Sequence, residues 1–426
     1  MKRSIASGTP CVRFRELLLL GLLFLAACAP ARPPSAGPDI REEPSVSVGL
    51  LVDTTSVELG STTEYELLDA AGQVLQRLGP REQVQVDAGQ AGELIVTVGD
   101  QREVVGGTLI VRPSERAFVS IGGKLYRGTA LVRAAAPGRL TAINQVGMEE
   151  YLLGVVPFEI GKVGPELLEA AKAQAVAART YALRYLGRRA ELGFDVFATV
   201  EDQVYGGAEG EHEPVTRAVL ETAGEILTHA GEPIEAFYHS TCSGRTVAIE
   251  EVWPEEEPRP YLVSILDVDP ATGEAFDATS SRFRWTQRWT AEEIREVLEQ
   301  TLADSLPPGV SEVGEPLDFQ ILERTPSDRI RTLRITTSTG TFDVGGDRIR
   351  WIFLTPAGNV LNSSRFEIFM ERDPEGRIEA VIAEGMGWGH GIGMCQVGAM
   401  GRARAGQDYR TILGAYYPGT DIVDLY

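Results

Sequence analysis

Three stretches of the sequence carry side chains that can do acid–base or metal chemistry. In the first, a lone carboxylate, Glu159, ends the apolar run of residues 151–158 and precedes a glycine-rich break. Apolar neighbours disfavour the charged form of a carboxylic acid, so we expect the pKa of Glu159 to be raised toward that of a general acid. Cleavage of a glycosidic bond uses an acid of this kind.

The other two stretches are Gly/Ser-rich turns that each pair a histidine with a cysteine, His239 with Cys242 and His390 with Cys395. These side-chain types suit tetrahedral zinc, and their local spacings can be spanned within a turn. The two cysteines could instead form a disulfide or remain free thiols. A metal-dependent hydrolase built on the two histidines is a weaker hypothesis, because HExxH spacing is absent and no carboxylate adjoins either histidine.

The sequence pattern predicts an α+β protein, in which irregularly interleaved strands and helices position these side chains. Residues 46–106 alternate apolar and polar side chains between turns, as expected of a small β-rich module. Residues 107–146 continue as strands and lead to Glu159, where we expect an apolar strand up to the acid. Pro165 stands at the expected first position of an alanine-rich helix that runs to about Arg189.

The first 28 residues predict export. A basic start precedes residues 17–27, an apolar stretch that is too short to span a bilayer. The segment ends in LAAC, which resembles a bacterial lipobox and implies that Cys28 becomes a lipidated N-terminus; a signal peptide with a chance cysteine is the alternative. Residues 29–45 are Pro-rich and polar, which predicts a tether. We therefore expect an exported, membrane-anchored lipoprotein that faces the periplasm or cell wall.

Composition and charge limit the classes of partner. The chain has 426 residues, 43% hydrophobic and 24% charged, which is typical of a globular protein. Its net charge of −21 argues against a nucleic-acid partner, because binding phosphates needs a basic face. Export would also place Cys242 and Cys395 in an oxidising compartment, which favours one disulfide or one shared metal site.

Three motifs resemble, in the same order, those of the SpoIID/LytB family, the stage II sporulation protein D group. They read EEYLLGVVPFEI followed by KAQAVAARTYA, AFYHSTCSGRT, and GWGHGIGMCQVGAMGRARAG. The shorter segments DQVYGG at residues 202–207 and TAGEIL at residues 222–227 also fit. The resemblance covers residues 107–420 with a divergent middle at about 276–364, and it predicts a SpoIID-like catalytic domain behind the β-rich module.

This resemblance implies a lytic transglycosylase that acts on peptidoglycan glycan strands. In that reaction a carboxylic acid protonates the glycosidic oxygen between N-acetylmuramic acid and N-acetylglucosamine. The carboxylate then takes the proton of the muramic acid 6-hydroxyl, which closes a 1,6-anhydro ring. Glu159 occupies the matching family position and would play both roles. One carboxylate is enough, unlike the pair that ordinary hydrolases use, and no cofactor is required.

The resemblance also implies that the two His/Cys motifs line one cleft. The family motifs more often carry serine where this chain has Cys242 and Cys395, so we expect the two cysteines to be neighbours. Some family members bind zinc, which leaves open a zinc site made of His239, Cys242, His390 and Cys395. The candidate substrate-binding residues, whose aromatic members could equally be core residues, are Gln203, Tyr205, His239, Ser240, Trp388, His390 and Gln396.

A non-catalytic wall-binding protein that enhances a partner amidase is the main alternative. Glu159 favours the enzyme, since a binding module would not need an acid at that position. The expected partners are peptidoglycan glycan strands, the membrane through the N-terminal lipid, and a cell-wall amidase or division or sporulation proteins.

Overall fold

The computed structural model describes residues 42–114, 116–306 and 311–426. The predicted signal peptide, the lipidation site Cys28 and nearly all of the tether lie outside these residues. Within them, no helix is long and apolar enough to cross a membrane. Helices alternate irregularly with strands that form several small sheets, which confirms the predicted α+β class.

In the described part of the chain, twelve strands precede the first helix. They are β1 (Ser45–Thr54), β2 (Ser56–Ser61), β3 (Tyr65–Leu68), β4 (Val74–Leu78), β5 (Val84–Ala88), β6 (Leu94–Val98), β7 (Gln101–Val105), β8 (Thr108–Pro113), β9 (Val119–Ile121), β10 (Lys124–Tyr126), β11 (Thr129–Ala136) and β12 (Arg139–Gly147). Most of them alternate buried and exposed side chains, as strands with one face on a core do.

These strands form two sheets. A later strand, β13 (Val196–Phe197), pairs in parallel with β1 and completes a sheet of order β13-β1-β12-β11-β8-β3-β4. The second sheet has the order β10-β9-β2-β5-β6-β7. Both sheets mix strands from before and after residue 106, so the predicted boundary there does not separate two structural units. The reason is pairing: β1 pairs with β12 along most of its length, and β3 pairs with β8.

The segment that leads to Glu159 is a helix, α1 (Met148–Glu159), and the predicted apolar strand is wrong. Residues 151–157 are all buried. An unbroken apolar run buried on every side has no periodicity, so its sequence does not distinguish a strand from a helix. The helix stops where Ile160 is followed by Gly161, whose φ of 84° suits the left-handed conformation common after helix ends. Glu159 is therefore the last residue of α1.

The alanine-rich segment forms α2 (Leu168–Arg184), after a short 3₁₀ turn at Pro165–Leu167. The helix ends at Arg184 rather than at about Arg189. Its alanines are fully buried, and such small side chains let neighbouring helices pack closely against it. The buried alanines of α2 are Ala170, Ala171, Ala173, Ala175, Ala177, Ala178 and Ala182.

The described chain continues through six more helices and eleven more strands. They are α3 (Glu213–Glu221), β14 (Glu225–His229), β15 (Glu232–Pro233), β16 (Tyr238–His239), α4 (Ile249–Val252), β17 (Arg284–Thr290), α5 (Ala291–Leu302), β18 (Pro316–Arg324), β19 (Ile330–Thr337), β20 (Thr341–Gly345), α6 (Arg348–Ile352), β21 (Phe366–Arg372), β22 (Ile378–Met386), β23 (Met394–Cys395), α7 (Gln396–Arg404), α8 (Tyr409–Tyr416) and β24 (Asp421–Asp424).

The predicted divergent middle has a hydrophobic core of its own. Its sheets are β17-β22-β21 and β18-β19-β20, and α5 packs on them around Trp289 and Phe353. The chain then returns to the first core, where β23 pairs in parallel with β16. This pairing places Tyr238 opposite Met394 and His239 opposite Cys395, and so joins the two His/Cys motifs.

Candidate active site

Glu159 lies between three segments that are distant in sequence. The Val204 backbone N–H donates to Glu159 Oε1 at 2.7 Å, and Gln396 Nε2 lies 3.4 Å from Glu159 Oε2 in a long hydrogen bond. The Tyr238 hydroxyl also donates to this carboxylate. Each donor comes from one of the motifs that the sequence singled out, so the fold brings all of them to one acid.

The environment of Glu159 makes it a weak acid. Burial raises the pKa of its carboxyl to about 7, while the hydrogen bonds from Val204, Gln396 and Tyr238 act in the opposite direction. This agrees with the expected direction of the shift. At neutral pH the carboxyl is therefore divided between its protonated and charged forms, which suits a group that gives and takes a proton.

A buried chain of side chains holds Tyr238 in place. The Tyr151 hydroxyl donates to Gln203 Oε1 at 3.1 Å, and Gln203 Nε2 donates to the Tyr238 hydroxyl at 2.9 Å and to the Ala178 carbonyl at 3.3 Å. Gln203 is completely buried. It orients Tyr238 rather than contacting a substrate, so its predicted role in substrate binding is wrong.

Tyr205 is a core residue. Its hydroxyl donates to Asn144 Oδ1 at 2.7 Å, its ring packs between Tyr126 and Tyr151, and only 4% of it is exposed. A Cβ at Gly154 would lie 2.5 Å from the Tyr205 ring, so this position of α1 needs glycine for the ring to fit. The prediction that Tyr205 stacks on a sugar is therefore wrong.

Gln396 is the predicted site residue that contacts the acid directly. It is the first residue of α7, and its amide also lies 3.4 Å from Gln174 Oε1 of α2. Gln174 is fully buried, and its Nε2 has no hydrogen-bond partner among the described residues. Sequence reasoning missed Gln174 and Tyr238. Tyr238 stands beside His239 in a motif that had been recognised, whereas Gln174 was hidden in a helix that read as core.

The two histidines are neutral and fixed by the backbone. His390 Nε2 donates to the Tyr238 carbonyl at 2.9 Å, and His390 Nδ1 accepts the Ile392 N–H at 3.1 Å. Burial lowers the pKa of His390 to about 4, against the opposing charge of Asp347. His239 Nδ1 lies 3.1 Å from the Ile392 carbonyl, and burial holds the pKa of His239 well below its usual range.

These contacts change the roles predicted for the histidines. Only 4% of His239 is exposed, so it is out of reach of a sugar. Both ring nitrogens of His390 are engaged by the backbone, so neither is free for a metal or for a glycan hydroxyl. The rings lie 5.6 Å apart, edge to face, and support the strand that carries Tyr238.

Trp388 and Ser240 remain candidates for substrate binding. Trp388 is 39% exposed, and the Arg282 guanidinium lies 4.0 Å from the centre of its ring. Backbone hydrogen bonds to Thr241 in both directions fix Trp388 beside the first His/Cys motif. Ser240 is partly exposed, with its hydroxyl 3.2 Å from the Thr241 hydroxyl.

The two cysteines are neighbours, as the sequence analysis expected. The Cys242 N–H donates to Cys395 Sγ at 3.3 Å, and both residues are buried. Both are free thiols, so the predicted disulfide is not formed in this structure. One ligand atom from each of His239, Cys242 and Cys395 lies within 4.8 Å of the other two, whereas His390 is not part of this group.

Comparison with known proteins places the whole arrangement in a family. Residues 136–229, which contain Glu159, match the family model described as stage II sporulation protein, and residues 271–393 match a domain of unknown function (DUF8618). Stage II sporulation protein D of Bacillus subtilis is 31% identical over 297 residues, which cover 66% of this chain and 76% of that protein. The chain belongs to the stage II sporulation protein D family.

Two other proteins are also similar to this chain. A protein of Brachyspira hyodysenteriae is 32% identical over 286 residues, which cover 67% of this chain and 69% of the relative. The amidase enhancer of Bacillus subtilis is 29% identical over 351 residues, which cover 74% of this chain but only 47% of the enhancer. The chain therefore spans about half the length of the enhancer.

Proposed function

We propose that this protein is a peptidoglycan lytic transglycosylase that cleaves the bond between N-acetylmuramic acid and N-acetylglucosamine. The observation that carries the proposal is the environment of Glu159. Burial raises its pKa, and hydrogen bonds from the Val204 N–H, Gln396 and Tyr238 lower it. None of these three hydrogen-bonding groups is a second carboxylic acid. A hydrolase of the common kind needs two carboxylates, whereas a transglycosylase needs one that serves twice.

Each step of the reaction uses a contact of the site. Protonated Glu159 gives its proton to the glycosidic oxygen, and the bond from that oxygen to the muramic acid C1 breaks. The donors Val204, Gln396 and Tyr238 then stabilise the carboxylate that is left. The muramic acid 6-hydroxyl oxygen bonds to C1, and its proton passes to Glu159, which restores the acid. No water molecule is consumed.

The proposal includes the cellular setting. Lipidation of Cys28 and residues 29–45 would hold the enzyme on a tether outside the cytoplasm, within reach of the wall. Because the net charge of −21 repels an anionic polymer, glycan recognition would depend on local contacts such as those of Trp388 and Ser240.

Product analysis tests the proposal. The full-length protein and its Glu159→Gln variant are incubated with glycan strands, and the products are identified by mass spectrometry. We expect 1,6-anhydro-muramic ends from the wild type and none from the variant. Reducing ends would show a hydrolase instead.

The name of one relative, the amidase enhancer, supports a second candidate function. In that case the protein would make no products by itself but would increase the rate of a cell-wall amidase added to the assay. Glu159→Gln would leave that stimulation unchanged, because stimulation requires wall binding and not proton transfer.

A further inference from the structure

Immediately behind the catalytic acid, β16 and β23 carry a second group of reactive side chains. Tyr238 of β16 contacts Glu159, and a ring nitrogen of the next residue, His239, lies within 4.8 Å of both cysteine sulfurs. On the neighbouring strand, Cys395 of β23 directly precedes Gln396, which also contacts Glu159. Successive side chains of a strand point to opposite sides, which explains how one strand pair supports two sites. The second group is His239, Cys242 and Cys395, and we call it the His/Cys cluster.

The state of the His239 ring points to a ligand. The Ile392 carbonyl can only accept a hydrogen bond, so His239 Nδ1 carries the proton and Nε2 carries a lone pair. Nε2 is buried and has no hydrogen-bond partner in the described part of the chain. An unpaired buried acceptor destabilises the folded state unless a ligand pairs with it. A backbone carbonyl that fixes one nitrogen and leaves the other free is typical of metal-binding histidines.

The sulfur of Cys395 is held in place by backbone donors. It precedes the nine-residue helix α7 and accepts the backbone N–H groups of Cys242 at 3.3 Å and Gly398 at 3.2 Å. Burial raises the pKa of this thiol, so the thiol would lose its proton only when a metal ion binds to the sulfur. A Cβ at Gly398 would lie 2.2 Å from Asp267 Oδ2, 2.3 Å from the Tyr416 hydroxyl and 3.1 Å from this sulfur, so only glycine fits at this position.

Two buried carboxylates adjoin the sulfurs. Asp267 Oδ2 lies 3.4 Å from Cys242 Sγ, and Asp277 Oδ2 lies 3.6 Å from Cys395 Sγ. Both are already held by other groups: Asp267 by Arg402 and the Tyr416 hydroxyl, and Asp277 by backbone N–H groups. Arg402 offsets the charge of Asp267, so Asp277 is the carboxylate that adds negative charge beside the sulfurs, which favours a cation there.

We propose that the His/Cys cluster binds one zinc ion through His239 Nε2, Cys242 Sγ and Cys395 Sγ. One nitrogen and two sulfurs form a donor set that suits zinc, and two thiolates balance the charge of Zn²⁺. The ion would give the unpaired Nε2 a partner, which a disulfide between the two cysteines would not. His390, which the sequence had offered as a fourth ligand, is excluded because both of its nitrogens are hydrogen-bonded.

The zinc site would have a structural role behind the active site. By joining β16, β23 and the turn that carries Cys242, it would fix the positions of Tyr238 and Gln396, which both contact Glu159. The inference does not rest on the lytic reaction, and its test needs no substrate.

Metal analysis of the full-length chain tests the inference. The wild type, Cys242→Ser, His239→Gln and the control His229→Gln are purified with zinc chloride and a reductant, and bound zinc is measured by mass spectrometry. His229 suits the control because it lies outside the cluster, with its Nδ1 on the Gly419 carbonyl. We expect about one zinc per chain in the wild type and the control. Loss of a group that only hydrogen-bonds to a metal ligand lowers metal affinity by about 10–100-fold. Because the two cluster variants each lose a ligand itself, their zinc affinity should fall by more than that.

Cobalt substitution keeps the inference testable even where a variant fails to fold. Wild-type protein loaded with cobalt chloride should show the sulfur-to-cobalt charge-transfer band of thiolate ligands. Reactive thiols at Cys242 and Cys395, located by alkylation and peptide mass spectrometry, with no zinc or cobalt uptake would overturn the inference. So would a disulfide between Cys242 and Cys395, identified by peptide mass spectrometry without reduction.

Discussion

The two sides of the strand pair β16–β23 differ in how their polar groups are satisfied. On the side of Glu159, Tyr151, Gln203 and Tyr238 form a continuous chain of hydrogen bonds that ends on the carboxylate. On the side of the His/Cys cluster, His239 Nε2 is buried without a partner among the described residues. Complete hydrogen bonding tunes a proton donor, whereas an unpaired lone pair beside two thiols suits a metal. The following predictions test this division of roles.

The largest effect should come from Glu159→Gln. The amide has the shape of the carboxyl but cannot donate and retake a proton, so the rate of glycan cleavage should fall by about 10²–10⁴-fold. Glu150→Gln is the matched control, because it is the same substitution at a more exposed position of α1. Bound zinc should be unchanged in both variants. Equal loss of activity in both would show that Glu159 is not special.

Removal of zinc from the His/Cys cluster should lower the stability of the folded protein. A ligand that binds only the folded state, at about 100–1,000 times its Kd, stabilises it by about 2.7–4.1 kcal/mol. We therefore expect a chelator to lower the Tm of the wild type, measured by calorimetry. The Tm of Cys242→Ser should not respond. An equal response of both proteins would contradict a specific site.

Tyr238→Phe should weaken catalysis and leave zinc binding intact. The Tyr238 hydroxyl lowers the pKa of Glu159, so its removal should raise that pKa further. A hydrogen bond to a charged group contributes about 1.5–3 kcal/mol, so the pH at which activity declines should move up by about one to two units. The pH–rate profile measures this shift. An unchanged profile would mean that the hydroxyl does not act on the acid.

The stability of Glu159→Gln should depend on pH in a defined direction. Since folding raises the pKa of Glu159 from 4.5 to about 7, the folded state loses stability as the pH rises through that range. Glutamine has no charge to bury. The free energy of unfolding of the variant, relative to that of the wild type, should therefore be higher at pH 8 than at pH 4 by on the order of 1–3 kcal/mol. Denaturant unfolding at both values checks this, and a gain independent of pH would contradict the raised pKa.

The smallest effect should come from Trp388→Ala. Trp388 is partly exposed and contacts Arg282, so the Tm should barely change. If the ring stacks on a sugar, KM should rise by about 2–10-fold, the equivalent of about 0.5–1.5 kcal/mol, with kcat nearly constant. Leu266→Ala, another exposed apolar side chain, is the control.

The sequence predicted the fold class and the position of the buried acid better than the local geometry. The α+β class is confirmed, and the motif around Glu159 pointed to the acid whose pKa the fold raises. The helical form of α1 could not be predicted, because burial on all sides removes the periodicity that separates helix from strand. The burial of Gln203 and Tyr205 was equally hidden, since a loop sequence does not reveal what packs over it.

The separation of the two sites depends on strand pairing. Tyr238 and His239 are adjacent in sequence, and only the register of β16 against β23 decides that one faces Glu159 and the other faces the cysteines. For the same reason the sequence offered both histidines as metal ligands. The hydrogen bonds of His390 to the backbone, which exclude it, depend on contacts with the Tyr238 carbonyl and the Ile392 N–H.

Cleavage of glycan strands in water enriched in ¹⁸O tests the central claim most directly, because it reports where the new bond at C1 comes from. If Glu159 serves first as acid and then as base for the 6-hydroxyl, the wild type should release 1,6-anhydro ends that contain no ¹⁸O. Reducing ends that carry one ¹⁸O atom would show that water attacks C1, and would contradict the single-carboxylate mechanism.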